Sequence, residues 1–326
     1  MCLAALCFAP AARAQRSLAD IVAAVQPKLV KIYGAGGLKG LEAYQTGFLI
    51  SPEGHFLTIW SHVLDAENVT VLLHDGRRFE GELLGRDPRL DLALLKIDAT
   101  DLPYFKLDDP AEVRVGARVL AFSNLYNVAT GNEPVSVQSG VIGAIAELNA
   151  RQGTSNLGYT GPAYFLDAMT NNPGAAGGAL TDRKGRLLGI LGKEVRDAQA
   201  NTWINYALPL TEIRPAAVDM LAGKGRPSSP RERVRPKRAH DLASLGIALV
   251  PDVLVKTPPF IDGVQVDSPA AKAGLKPDDL LLFINGRLVP SCKQAAEELS
   301  YLNRLEDVRL TVQRGAELIE VTLQAP

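Results

Sequence analysis

A mostly β chain in two units is what the sequence predicts: an antiparallel barrel or sandwich pair, then a smaller mixed unit. Three observations carry that prediction. Short apolar runs recur at even spacing from about residue 29 to 210, separated by turn residues. A stretch with almost nothing apolar, GKGRPSSPRERVRPKRAH, fills residues 223–240 and reads as a linker. The 326 residues suit two domains, and Gly 29 with Pro 21 predict many turns and argue against an all-helical fold.

Residues 1–14, MCLAALCFAPAARA, are short and apolar, and Ala12-Arg13-Ala14 fits a small-residue cleavage site. They are expected to form a signal peptide cut before Gln15, although a positively charged start is missing. The run is too short to span a bilayer, and no later stretch reaches about 18 uninterrupted apolar residues. Cleavage would remove Cys2 and Cys7 and leave Cys292 alone. Ser17-Leu-Ala-Asp20 has the form of a capping box and opens a helix over 18–25, which Pro27 stops.

Strands are expected at Gly47–Ser51, Phe56–Ile59, Val69–Leu73, Arg78–Gly85, Leu92–Ile97, Arg118–Phe122, Val137–Ile145, Arg186–Leu191 and Ile204–Leu208. Ser51-Pro-Glu-Gly54 suits a type I turn, and Asp75-Gly76 marks a hairpin. Residues 210–222 read as a closing helix. In the second unit, Ser268-Pro-Ala-Ala-Lys-Ala-Gly274 carries its own N-cap, N1 proline and C′ glycine. Asn285-Gly286 is a hairpin turn, Ser291-Cys-Lys-Gln294 opens a helix to about 300, and strands follow at Val308–Arg314 and Ile319–Leu323.

Composition excludes several functions. Lys+Arg 35 against Asp+Glu 36 gives a net charge of -1, which argues against a whole-chain nucleic-acid or polybasic membrane binder. Cys 3 rules out a disulfide framework. The four histidines, His55, His62, His74 and His240, are scattered without cysteine partners, so neither a metal nor another cofactor is expected.

Three segments carry the chemistry, in order: Thr58-Ile-Trp-Ser-His62-Val63 at a strand end, Asp91-Leu-Ala-Leu-Leu-Lys96 at a strand start, and the turn Asn172-Pro-Gly-Ala-Ala-Gly-Gly178. A His, an Asp and then a glycine-rich turn is the chain order of trypsin-like serine proteases. The details resemble the HtrA/Deg family. Its run G-F-x-I-S-P-x-G-x-x-L-T-x-x-H-V is carried on Gly47, Phe48, Ile50, Ser51, Pro52, Gly54, Leu57, Thr58, His62 and Val63. Its D-P-x-x-D-L-A-x-L-K is met by Asp87-Pro88 and Asp91–Lys96. The resemblance covers about 17–222, and the linker and second unit match the family's PDZ module. It implies a trypsin-like double six-stranded β-barrel at 15–222, the linker at 223–240, and a small α+β PDZ domain at 241–326.

The third segment departs from the family. Where the family reads N-P-G-N-S-G-G-P, this chain has Ala176 at the nucleophile position, with Ala175 and Ala179 also changed. A methyl group has no lone pair to attack with and no proton to give, so an acyl-enzyme has no starting atom. The resemblance makes His62 and Asp91 the retained triad positions, expected to pair as His Nδ1–H to carboxylate, and makes the backbone of Gly174 and Ala176 an oxyanion-type cradle. Thr170 and Thr181, the nearest hydroxyls, stand too far along the chain to replace the serine. Trp60 is expected in the core.

In the PDZ module the resemblance assigns the backbone N–H groups of Leu245, Gly246 and Ile247 to a peptide carboxylate, with an added strand along Ile247–Val250 and the helix after Ser291 as the other wall. Cys292 sits at that helix's N-terminus, where a thiolate would be stabilised. The expected protein is a periplasmic or secreted pseudoprotease that binds peptides, C-termini or unfolded envelope proteins, with a homotrimer through residues 17–35. Two alternatives stay open: an active endopeptidase whose serine was changed or whose nucleophile is misassigned, and a structural oligomer subunit.

Overall fold

Ser17 starts α1 (Leu18–Val25) with both arms of its box made: its Oγ accepts from Asp20 N–H, and the Asp20 carboxylate takes Ser17 N–H, each at 3.1 Å. Ile21, Val22 and Val25 turn inward against the barrels, and a 3₁₀ turn with Pro27 ends the helix. The computed structural model describes residues 16–36, 42–66, 68–108, 112–152, 155–224, 235–252, 257–315 and 317–324. The signal peptide expected at 1–14 and most of the linker lie outside these.

β1 (Leu29–Tyr33), β2 (Tyr44–Leu49), β3 (His55–Ile59), β4 (Val69–Leu72), β5 (Arg78–Asp87) and β6 (Leu92–Lys96) close a first barrel in the order β1-β2-β3-β6-β5-β4. Strands β7 (Arg118–Ser123) and β8 (Ser136–Glu147) begin the second. After β9 (Ala150–Gln152) and β10 (Ser155–Asn156) come β11 (Pro162–Leu166), β12 (Ala179–Asp182), β13 (Leu187–Leu191), β14 (Val195–Asp197), β15 (Trp203–Ile204) and β16 (Tyr206–Pro209). The second barrel closes as β11-β16-β13-β12-β7-β8, and β10-β9-β14-β15 form a side sheet. α2 (Leu210–Leu221) packs Ile213, Ala217 and Met220 onto the barrels.

One core cluster joins the two barrels. Phe48, Leu57 and Leu92 from the first lie in the same cluster as Phe122, Ile190 and Leu208 from the second. Phe48 and Phe105 meet edge to face at 5.7 Å. Burying each such side chain contributes about 1.5–3 kcal/mol, and this fixes the two barrels against each other. Lys31 of β1 is also buried. Its ammonium donates to the Gly131 and Glu133 carbonyls at 2.5 and 2.9 Å, bridging to the β7–β8 connection.

The C-terminal unit contains α3 (Leu242–Leu245), β17 (Ile247–Leu249), β18 (Ile261–Val264), α4 (Pro269–Lys272), β19 (Leu280–Ile284), β20 (Arg287–Leu288), α5 (Cys292–Leu299), β21 (Val308–Arg314) and β22 (Glu317–Leu323). Its core is separate, with Leu245, Ile261, Leu281, Leu299 and Val312 at the centre. Asn285 and Gly286 take φ of 49° and 79° between β19 and β20, as a two-residue hairpin turn with two left-handed positions requires. The double barrel and the small α+β unit are the architecture that the sequence resemblance implied.

Candidate functional site

The turn Asn172–Gly178 leads into β12. Asn172 anchors it, with Nδ2 donating to Met169 O at 2.7 Å and its own carbonyl accepting from Ala175 N–H. Gly174 and Gly177 take φ of +86° and +82°, a region that costs a residue with a Cβ about 1–2 kcal/mol. Thr46 of β2 holds the turn from the other barrel. Its N–H donates to Ala176 O at 3.1 Å, and its Oγ1 donates to Gly174 O at 2.6 Å while accepting from Asn124 N–H. Ala176 is half-buried and presents its methyl where the family has a hydroxyl. Among the described residues nothing accepts from the N–H groups of Gly174 and Ala176. These are the two donors the sequence assigned to the cradle.

His62 opens a 3₁₀ turn, His62–Asp65, capped by Ser61, whose Oγ accepts from Val63 N–H and donates to Gln45 Oε1. The His62 Nε2–H donates to the Glu42 carbonyl at 2.8 Å. In a serine-protease triad that nitrogen receives the nucleophile's proton; here it carries a proton already. Burial holds the ring below its usual pKa and the Lys193 charge adds to that, against the Glu42 carbonyl and carboxylate.

Asp91 stands at the start of β6 with φ of 50°, its carbonyl accepting from Trp60 N–H. Its carboxylate pairs with the Lys193 ammonium at 2.8 Å. The two side chains are only 30 % and 14 % exposed, so the pair is shielded from solvent. The expected His62–Asp91 pair is therefore not made. The reason is visible in the chain: Ile59, Trp60 and Ser61 stand between Thr58 and His62, one residue more than the family's run allows, and Lys193 follows β13 within reach of Asp91. No motif flagged Lys193. Its only signal was a lone lysine directly after a buried strand.

Trp60 is half-buried on the first barrel's core with the Arg86 guanidinium 4.9 Å over its ring. Thr170 and Thr181 are both buried, and Thr181 Oγ1 donates to Asp182 O. Glu194 lies near Glu42 and Tyr44 beside the cleft. Burial and the Glu42 charge both raise its pKa. Among the described residues no group of three His, Cys, Asp or Glu is placed to hold a metal.

A family model for a trypsin-like peptidase domain matches residues 45–190, and one for a PDZ domain matches 260–314. A relative from Brucella suis, a probable periplasmic serine endoprotease of DegP-like type, is 32% identical over 291 residues, 87% of this chain and 53% of its own length. This chain is an HtrA/DegP-type, trypsin-like serine-protease homologue with a C-terminal PDZ domain. It spans about half the length of the curated relatives it matches. A solved serine endoprotease from Yersinia pestis is 26% identical with a TM-score of 0.50, covering 96% of this chain and 98% of that one. The HtrA-type protease AlgW, solved with a tripeptide, is 25% identical with a TM-score of 0.52, covering 95% and 96%. Several relatives are named periplasmic, and no described helix is long and apolar enough to cross a membrane. Periplasmic or secreted is the localisation that follows.

In this HtrA-type chain the PDZ carboxylate loop differs from expectation. Leu245 N–H donates to Asp241 O and Gly246 N–H to Ala243 O, so both are committed to closing α3. Gly246 takes φ of +76° as the helix cap, and a Cβ there would meet Ser268 Cβ at 2.1 Å. Ile247 begins β17, which pairs only with β18 among the described strands. Cys292 is buried with Sγ toward the Pro258 and Val250 carbonyls. Burial and the charge of Asp252 push its thiol above the usual value, against the helix N-terminus expectation.

The β19–β20 hairpin of the PDZ domain meets the 3₁₀ turn that carries His62. Phe283 packs edge-on against the His62 ring at 6.2 Å, and Leu288 N–H donates to Asp65 Oδ2 at 3.4 Å. Burial pushes the Asp65 pKa up to about 6, opposed by the Leu288 bond and by Arg287 and Arg86, with Glu298 adding to the rise. An unfolded aspartate titrates near ~3.9, so the folded chain binds the extra proton between the two values. The stabilisation is complete below pH ~4 and is lost as pH rises through about 6. Wild type is expected to lose about 1 kcal/mol from this group between pH 5 and 7.5. Thermal unfolding of Asp65→Asn beside wild type at both pH values checks it. An equal pH dependence in both chains would show that Asp65 titrates normally.

Proposed function

We propose that this HtrA-type chain is proteolytically inactive and works in the cell envelope as a binder of peptides and unfolded proteins, or as a regulator of their quality control. The observation that carries the reading is that all three triad positions are disconnected: Ala176 has no nucleophilic atom, His62 donates to the Glu42 carbonyl, and Asp91 is held by Lys193. Two features support peptide binding. Among the described residues nothing accepts from the N–H groups of Gly174 and Ala176, which can donate to a bound carbonyl or carboxylate. Among the described residues only β18 pairs with β17, which leaves its other edge for an added strand. With Leu245 and Gly246 N–H committed to α3, recognition rests more on that edge than on a terminal carboxylate. A signal peptide at 1–14 and a homotrimer through residues 17–35, where Leu18 is exposed, belong to the same proposal.

The mature chain is expected to leave unfolded casein intact, to take no label from a fluorophosphonate probe, and to suppress casein aggregation. Cleavage or labelling by the chain as it stands would favour the active-endopeptidase alternative. Absence of both cleavage and binding would favour the structural-subunit alternative.

A further inference from the structure

A groove of about 480 Å³ lies where residues 102–108 meet the β12–β13 turn and the start of α2. That volume falls within the range of ligand pockets, about 300–1,000 Å³. Leu102, Phe105, Leu187 and Leu210 give it an apolar wall, and all four are buried. None of its lining residues belongs to the cleft around Ala176. Lys28 projects its half-buried ammonium over the Phe105 ring at 4.8 Å.

Lys28 differs from the other buried lysine of the same segment. The Lys31 ammonium is satisfied by two carbonyls, with Glu133 opposing the loss of its charge. Lys28 has no hydrogen bond or ion pair among the described residues, and burial lowers its pKa with nothing opposing it. A ring face recovers only part of the desolvation. The other charges lining the groove leave Lys28 uncompensated. Arg186 is held by Asp182 at 2.7 Å, and Lys106 and Asp108, of opposite charge, both stand on the exposed rim. The groove thus carries one uncompensated positive charge beside an apolar wall.

We propose that this groove binds a carboxylate carried on an apolar body, with the anion on Lys28 and the body against Phe105, Leu187 and Leu210. A single partly desolvated ammonium matches a monoanion better than a dianion, because a second charge would be desolvated without a partner. Such a group is supplied by a medium-chain fatty acid or by the free C-terminus of an apolar peptide.

Isothermal titration of the full chain with sodium octanoate is expected to show one site. Octanol and octylamine should bind at least tenfold more weakly, and octyl phosphate no more tightly than octanoate. Lys28→Met should weaken octanoate at least tenfold, while Lys28→Arg stays within a few-fold of wild type. A short peptide ending in Leu-Phe, compared with its C-terminal amide, separates the two sources: preference for the free acid over both the amide and octanoate names a chain terminus. The proposal is overturned if octanoate does not bind, if octanol equals it, if octyl phosphate exceeds it, or if Lys28→Met leaves it unchanged. Should Lys28→Met fail to fold, the comparison of octanoate with octanol and octylamine on the wild-type chain decides.

Discussion

Restoring serine at position 176 is expected to leave the chain at least about 10⁴-fold below an intact serine-protease triad, a level reached elsewhere by disabling the aspartate alone. The serine would regain an oxygen but not a base. His62 Nε2 is a donor to the Glu42 carbonyl, so it cannot take the hydroxyl proton without turning away from that bond. Its other nitrogen has no carboxylate to orient it, because Asp91 faces the Lys193 ammonium. A nucleophile, its base and the group that orients the base act as a unit, so replacing one of three recovers little. Activity should return first in a chain that combines Ala176→Ser with Lys193→Ser and removal of Trp60. Lys193→Ser removes both the charge and the reach that hold Asp91, leaving its carboxylate for His62, and the deletion restores the family's spacing before His62. Fluorophosphonate labelling and casein cleavage read the outcome. Strong labelling of Ala176→Ser alone would mean that His62 and Asp91 re-form their pair as soon as a serine is present, and that Ala176 by itself silences the chain.

Local chemistry was the part of this molecule legible from sequence. The Ser17–Asp20 box, the Asn285-Gly286 turn and the Ser268–Gly274 helix are each decided within a few residues, and each formed where the pattern put it. β11 was not anticipated, because Pro162 opens it. The site divides the same way. Ala176, Gly174, His62 and Asp91 stand in motifs and could be located by them. What His62 and Asp91 touch depends on Glu42 and Lys193, which come from distant segments. The one sequence signal of the altered geometry was the extra residue between Thr58 and His62. In the PDZ domain, Leu245-Gly246-Ile247 was recognisable as a loop, but the direction of its N–H groups follows from α3, whose four residues carry too little periodicity to announce a helix.

Gly177→Ala is expected to destabilise the barrels by about 3–4 kcal/mol, lowering Tm by about 10 °C. A Cβ at 177 would lie 2.1 Å from Thr46 O and 2.3 Å from Thr58 Oγ1, on a residue whose φ is +82°. Neither neighbour can yield. Thr46 is paired in β2 and clamps Gly174 and Ala176, and Thr58 Oγ1 donates to Thr46 O while accepting from Gln45 Nε2. Gly116→Ala provides the control. Its φ is +85°, but nothing lies within 4 Å of the added methyl, so it should cost only the backbone part, about 1–2 kcal/mol. Thermal unfolding of the two variants separates strain from crowding, and equal losses would show that the Thr46–Thr58 clamp does not hold the turn. The comparison bears on function as well as stability. The clamp spans both barrels and fixes the Gly174–Ala176 backbone although no nucleophile remains to be positioned. A rigid pair of backbone donors in a cleft without a nucleophile is suited to holding a carbonyl rather than cleaving beside it. On the binding reading, therefore, Gly177→Ala should weaken capture of unfolded casein at temperatures where the variant is still folded, and Gly116→Ala should not.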